Sequence, residues 1–318
     1  MFKISSILLS LLSVILLASC SNRSKLTTPF SVNENDQGIE LLEDGQSVFF
    51  YQREPKSLDG QYSRNNYIHP LYDLDGDILT EDFPKDHLHH RGIFWAWHQI
   101  YVGDSLISDS WALDNFENII KDVKTELNNN SARINIIADW TSPIFQNNKP
   151  YLEEKTQITV HKKKDSLRII DLRIELSALV ENIKLGGSND DKGYGGFSLR
   201  IKMPDNLRFT AEDGDIVPQT LQINAGPWMD FSASFGASKK ISGITLLCHP
   251  YDPNYPQPWI IRQKGSMQNI VFPGRNAIDI PKNKPVILQY RLVLHNGSAF
   301  KSDIEKWNSE YSTDLSIK

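Results

Sequence analysis

A period-two alternation of apolar and polar residues constrains this chain more than any other feature. Only an extended strand covered on one face puts successive side chains on opposite sides. In LRIIDLRIEL, Ile170, Leu172, Ile174 and Leu176 face one way, while Asp171, Arg173 and Glu175 face the other. VILQYRLVLH sets Val286, Leu288, Tyr290, Leu292 and Leu294 against Ile287, Gln289, Arg291 and His295. GFSLRIKMP and ARINIIADW follow the same rule, and Gly, Pro, Asn and Asp clusters separate such runs. The pattern predicts an all-β fold, a large antiparallel β-sandwich. Helix is scarce. DNFENIIKDVKTEL spaces Phe116, Ile119, Ile120 and Val123 as a helix would, but suits a strand equally. AFKSDIEKWNSEYS reads as a short C-terminal amphipathic helix capped by Ser302 or Asp303.

The first residues stand apart. Lys3 precedes an apolar run from Ile7 to Leu17, too short to span a bilayer, and Leu17-Ala18-Ser19-Cys20 follows. This resembles a bacterial lipoprotein signal, which implies cleavage before Cys20 and lipidation of its thiol. The expected organisation is a signal over residues 1–19, a lipidated Cys20 with a polar tether over 20–36, and one sandwich domain over 37–318. Ser21 after the cysteine points to the outer membrane of the cell envelope, with the chain facing the periplasm. Net charge is −5 with both signs interspersed, so no basic stripe exists for a nucleic-acid partner. With Cys20 lipidated, Cys248 has no disulfide partner and reads as a small buried hydrophobe in ITLLCHP.

DHLHHRGIFWAWHQ, residues 86–99, holds four of the eight histidines. A strand from Gly92 would set Ile93, Trp95 and Trp97 against Phe94, Ala96 and His98, with the histidines before its mouth. An extended chain would aim His87 and His89 to one side, a geometry suited to a divalent metal completed by His69, His249, Glu81 or Asp86. Acid–base chemistry needs a histidine held by a carboxylate such as Asp86 or Asp82, with Arg91 stabilising negative charge. Trp95, Trp97, Trp111 or Trp259 would then stack on a sugar ring. Loop-bonded histidines and core tryptophans are the plainer alternative. The cofactor question stays open.

YIHPLYDLDGDILTEDFPKDHLHHRGIFWAW resembles the family catalogued as methane oxygenase PmoA-like, in its His69-Pro70-Leu71-Tyr72 and Asp86–Gly92 segments. YGGFSLR and GITLLCHPYDPNYPQPWIIR are similar to later segments of that family, so the resemblance covers about residues 37–300. Leu88 stands where such segments often carry proline. Methane oxidation is not carried over, because the chain has no spanning segment beyond its signal. The resemblance implies a sandwich like the galactose-mutarotase supersandwich, and an association with polysaccharide-degrading bacteria.

The expected site therefore has His69, His87, His89, His90 and Arg91 as its catalytic heart, closed by Trp97, Arg200, His249, Trp259 and Arg262 as binding residues. Its ligand is a small molecule or an oligosaccharide. Three functions remain: a carbohydrate lyase, epimerase or hydrolase; a non-catalytic glycan-binding lipoprotein; and a metal-dependent enzyme. A carboxylate pair for glycoside hydrolysis would come from Glu153 or Glu154 with Asp213 or Asp215. The long loops SNDDKGYGGF and HPYDPNYPQPW are natural carriers of binding residues.

Overall fold

The computed structural model describes residues 28–314, so the signal and Cys20 lie outside the described residues. The chain folds as the all-β antiparallel sandwich that the alternation predicts. One sheet runs in the order Phe30–Glu34, Gly38–Glu43, Gln46–Gln52, Tyr67–Leu71, Ile93–Ala96, Gly196–Leu199, Gln268–Ile270 and Trp259–Ile260. The second runs Glu117–Leu127, Ser131–Thr141, Leu152–His161, Leu167–Ala178, Val286–Asn296, Ser242–Cys248, Trp228–Ala233, Arg208–Ala211 and Gly214–Asp215. A smaller sheet joins Ile278–Ile280, Ile183–Gly186, Gln99–Val102 and Ser105–Ser108. The ambiguous segment after Asn115 is strand, its side chains alternating between half-buried and exposed along a hydrogen-bonded hairpin with Ser131–Thr141.

The two large sheets meet through their alternate apolar side chains. Phe197 of the first stacks on Tyr290 of the second with ring centroids 4.4 Å apart, and Trp95 lies parallel to Phe197. A polar junction crosses the same layer. Glu154 Oε1 accepts hydrogen bonds from Trp95 Nε1, Asn66 Nδ2 and Thr156 Oγ1, and Oε2 accepts one from Trp140 Nε1. Glu154 therefore pins Tyr67–Leu71 and Ile93–Ala96 to the opposite sheet. Burial raises its pKa against those four donors. The paired-carboxylate expectation fails here. Six strand positions separate Leu152–His161 from Gly214–Asp215, roughly 29 Å at ~4.8 Å per strand, too far for two carboxylates to share one bond.

The C-terminal helix, Lys301–Thr313, forms as expected, although its cap position is Phe300, with no side-chain capping bond. It lays Ile304 and Tyr311 on the outer face of the second sheet beside Trp228, Leu247 and Val293.

Gly92 is required by a close approach. A Cβ there would stand 2.1 Å from the Ile68 carbonyl oxygen and 2.9 Å from His69 Cβ. Both neighbours belong to the paired strand Tyr67–Leu71, so neither yields without breaking the ladder. Gly92→Ala is expected to cost about 3 kcal/mol or more in urea unfolding. An unchanged midpoint would show that the strand approach is looser than this.

Candidate functional site

The histidine segment is a pair of turns and not an extended strand. His87 N donates to the Pro84 carbonyl, and His90 N to the His87 carbonyl. Residues three apart therefore meet: the His87 and His90 rings stack 4.6 Å apart at 4°, and His89 stands edge-on to His90 at 4.6 Å. His87 and His89 do share one side, their rings 5.8 Å apart and edge-on; what the turn corrects is the extended backbone, since it brings His90 to the same side as well. Among the described residues no group of three or more His, Cys, Asp or Glu side chains is placed to hold a metal ion.

Five segments wall a cleft of about 350 Å³ around these rings. The turn gives His87, His89 and His90; the break after Ile93–Ala96 gives His98, and the turn that follows Ser105–Ser108 gives Trp111 and Ala112. The loop before Gly196–Leu199 gives Lys192 and Tyr194, and the segment before Gln268–Ile270 gives Arg262, Lys264, Gly265, Ser266 and Met267.

Two of the histidines are held by carboxylates. His87 Nδ1 lies 2.8 Å from Asp86 Oδ2. Asp86 is gripped in turn by Arg200, whose two terminal nitrogens donate to its two oxygens at 2.8 and 2.7 Å while Nε donates to Glu81. Burial pushes the Asp86 carboxyl up, but the hydrogen bonds from Arg200 and His87 outweigh it and hold it well below the ordinary carboxylate range. His98 Nδ1 lies 2.7 Å from Asp109 Oδ2, and Asp109 Oδ1 accepts from Ala112 N. His98 Nε2 is buried beside the cleft and has no hydrogen-bond partner among the described residues. Its ring lies against Trp111 and edge-on to Tyr194.

His98 is the residue that strand parity concealed. The strand Ile93–Ala96 stops at Trp97, because Ser110 Oγ receives the Trp97 N–H while Ser110 N and Trp111 N both donate to the Trp97 carbonyl. That clasp bends the chain and brings Asp109 against His98. The signal was present only as a His and an Asp eleven residues apart.

Of the expected members, Arg262, His87, His89 and His90 line the cleft, and Arg200 stands behind it through Asp86. Other expected members go elsewhere. Arg91 is fully buried, its guanidinium donating to the Leu88, His90 and Tyr62 carbonyls, lying 3.2 Å from Asp82, and stacked 3.5 Å over Phe83. The side chain is enclosed and takes no part in the cleft lining, so Arg91 is a structural staple. His69 bonds Thr80 Oγ1 at 2.9 Å, outside the cleft lining. Trp97 and Trp259 are fully buried, their indole N–H groups spent on the Phe272 and Gly226 carbonyls, so neither is a sugar platform. His249 packs edge-on to Tyr311 of the C-terminal helix and beside Gln289, on the second sheet. The proline-rich loop that carries it does not reach the cleft.

The cleft lining contains no carboxylate, whereas Lys192, Arg262 and Lys264 are cationic. Lys192 pairs with Asp190; Arg262 is oriented by the Gln219 and Thr220 carbonyls; Lys264 has no ion-pair partner among the described residues. Burial and then the charge of Arg64 push the His89 pKa down to about 4, and burial with His89 and His87 pushes His90 to about 2. Burial also lowers His69 to about 4. All three are neutral in the folded protein at neutral pH.

The stability consequence has a definite sign. An unfolded histidine titrates near pH 6.5, so below that pH the unfolded state takes up protons that the folded state refuses. The stability from His69, His89 and His90 is therefore complete above about pH 6.5 and is lost as pH falls toward about 4. The urea midpoint should drop between about pH 7.5 and about pH 5. A midpoint flat over that range would contradict burial of neutral rings.

Comparison with known proteins matches residues 38–308 to a family model described as Family of unknown function (DUF6807). No curated protein matches the chain.

Proposed function

We propose that this chain, which belongs to that family of unknown function, is an acid–base enzyme acting on an acidic carbohydrate, by proton transfer at a carbon next to a carboxylate. The observation that carries the reading is the pair of carboxylate-held histidines on one cationic cleft. A carboxylate on one ring nitrogen fixes the tautomer and leaves the other nitrogen to take or give a proton. His98, held by Asp109, is the base. His87, held by Asp86 and Arg200, is the second proton carrier.

The chemistry balances with these groups. His98 Nε2 removes the proton on the carbon beside the substrate carboxylate. The bond's electron pair moves into the carboxylate, where Arg262 and Lys264 offset the added charge. Elimination then expels the β-oxygen as an alcohol, protonated by His87, and leaves a carbon–carbon double bond. Epimerisation instead returns a proton to the opposite face. Both outcomes share the first step, and the cationic lining favours a substrate that arrives as an anion. The resemblance to PmoA-like proteins, with its polysaccharide association, supports the choice of carbohydrate. A lipid anchor at Cys20 would place this activity at the outer membrane, facing the periplasm. Among the described residues no helix is long and apolar enough to cross a membrane.

The test is a panel of uronate-containing oligosaccharides, followed by ultraviolet absorbance for the unsaturated product and by NMR for an inverted centre. One substrate of the panel is expected to react. If every uronate stays unchanged while the protein remains folded, the reading fails.

A further inference from the structure

A second cavity, about 560 Å³, opens beside the histidine cleft, and Ala112 lines both. One wall is Tyr62, Ser63 and Arg64, from the small hairpin of Lys56–Leu58 and Gln61–Arg64, with Asn65 and Asn66 after it. The segment Ala112–Ile119 forms the other wall, and Trp95, Trp140 and Glu154 form the floor.

This lining differs in kind from the histidine cleft. It sets the half-buried ring of Phe116, above the buried Trp95 and Trp140, beside the amides of Asn65, Asn66 and Asn118, and its charged groups are of both signs, Arg64 against Glu117 and Glu154. Two polar atoms in it are orphaned. Arg64, with 7 % of its surface exposed, donates through one terminal nitrogen to the Ser110 and Trp111 carbonyls, while its Nε has no partner. The Arg64 guanidinium rests 5.0 Å over Phe94, and among the described residues no carboxylate pairs with it. Asn118 Oδ1 is likewise buried without a donor. A buried N–H and a buried C=O left unmade each cost roughly 1–3 kcal/mol. A bound group that both accepts and donates would satisfy the pair. A hydroxyl does this, and aromatic surface with a few polar groups is the usual lining for a small ligand.

We infer that this cavity is a second binding site, for an uncharged, hydroxyl-rich sugar unit. The inference does not depend on whether the histidine cleft turns anything over. Among the lining residues Asn118 is the informative one. Its Oδ1 holds nothing in the unliganded fold, and its backbone carbonyl, not its side chain, receives Asn65 Nδ2.

The experiment is calorimetric titration of the full chain with the neutral disaccharides cellobiose, maltose and lactose. At least one is expected to bind. Asn118→Ala should weaken that binding about 10-fold, as loss of one hydrogen bond to a buried group would, while the thermal midpoint stays put. Lys264→Ala, in the histidine cleft, should leave it unchanged. Absence of binding by all three sugars overturns the inference. So does binding that Asn118→Ala leaves intact, or that Lys264→Ala weakens equally. Failure of the uronate assay leaves every one of these outcomes readable.

Discussion

His98→Ala is expected to lower turnover of a uronate substrate by about 10²–10⁴-fold, the usual worth of a positioned general base. Substrate affinity should change little, because the charged contacts come from Lys192, Arg262 and Lys264 on other segments. Asp109→Asn separates positioning from proton acceptance. The amide keeps the size of the carboxylate and can still receive Ala112 N on its oxygen, but it presents N–H to a ring nitrogen that must itself donate. His98 would then be held in the wrong tautomer, so turnover falls while KM holds. His90→Ala offers the contrast: its ring is 2 % exposed and stacked between His87 and Phe94, so its loss should reach stability before chemistry. If steady-state kinetics show His98→Ala with full turnover, His98 is not the base.

Glu154→Ala should carry the largest stability cost among these substitutions, at least about 3 kcal/mol in urea unfolding followed by tryptophan fluorescence. It strands four buried donors at once, on Trp95, Trp140, Asn66 and Thr156, and cuts the junction between the two sheets. Glu154→Gln is expected to cost less. Its one carbonyl oxygen can keep the three donors now on Oε1, and only Trp140 then faces an amide N–H. A loss within about 1 kcal/mol for Glu154→Ala would mean that water or a rearranged neighbour replaces the carboxylate, and that the junction is not what joins the sheets there.

The architecture was largely legible because burial of one face writes itself into every second residue. Ile170 to Leu176 lie in the core as the alternation requires. The segment from Glu117 stayed ambiguous because its strand is at the sheet edge and its apolar side chains are half-buried or, at Ile119, exposed, so the period was blurred. The site was legible where its residues are close in sequence, at His87 to His90, and where a distant arginine answers a local carboxylate, as Arg200 answers Asp86.

Four other features had no local signature. Arg91 is a staple because a turn folds the Leu88 and His90 carbonyls back onto its own guanidinium, which spacing cannot reveal. His98 faces the cleft because Ser110 interrupts a strand that periodicity would have continued. Trp97 and Trp259 read as rings that could stack on a sugar until their burial and backbone partners are seen. His249 belongs to a loop whose prolines promised a rigid binding element, yet its ring is spent on packing against the C-terminal helix.

The most direct measurement of the central claim is deuterium exchange at carbon. A uronate oligosaccharide is incubated with the protein in deuterated water, and the proton beside its carboxylate is followed by NMR. The account predicts that this signal disappears, through exchange, inversion or elimination, with wild-type protein and not with His98→Ala. A signal that persists under wild-type protein, while the same sugar is shown by titration to occupy the cleft, would contradict proton transfer and leave a site that only binds.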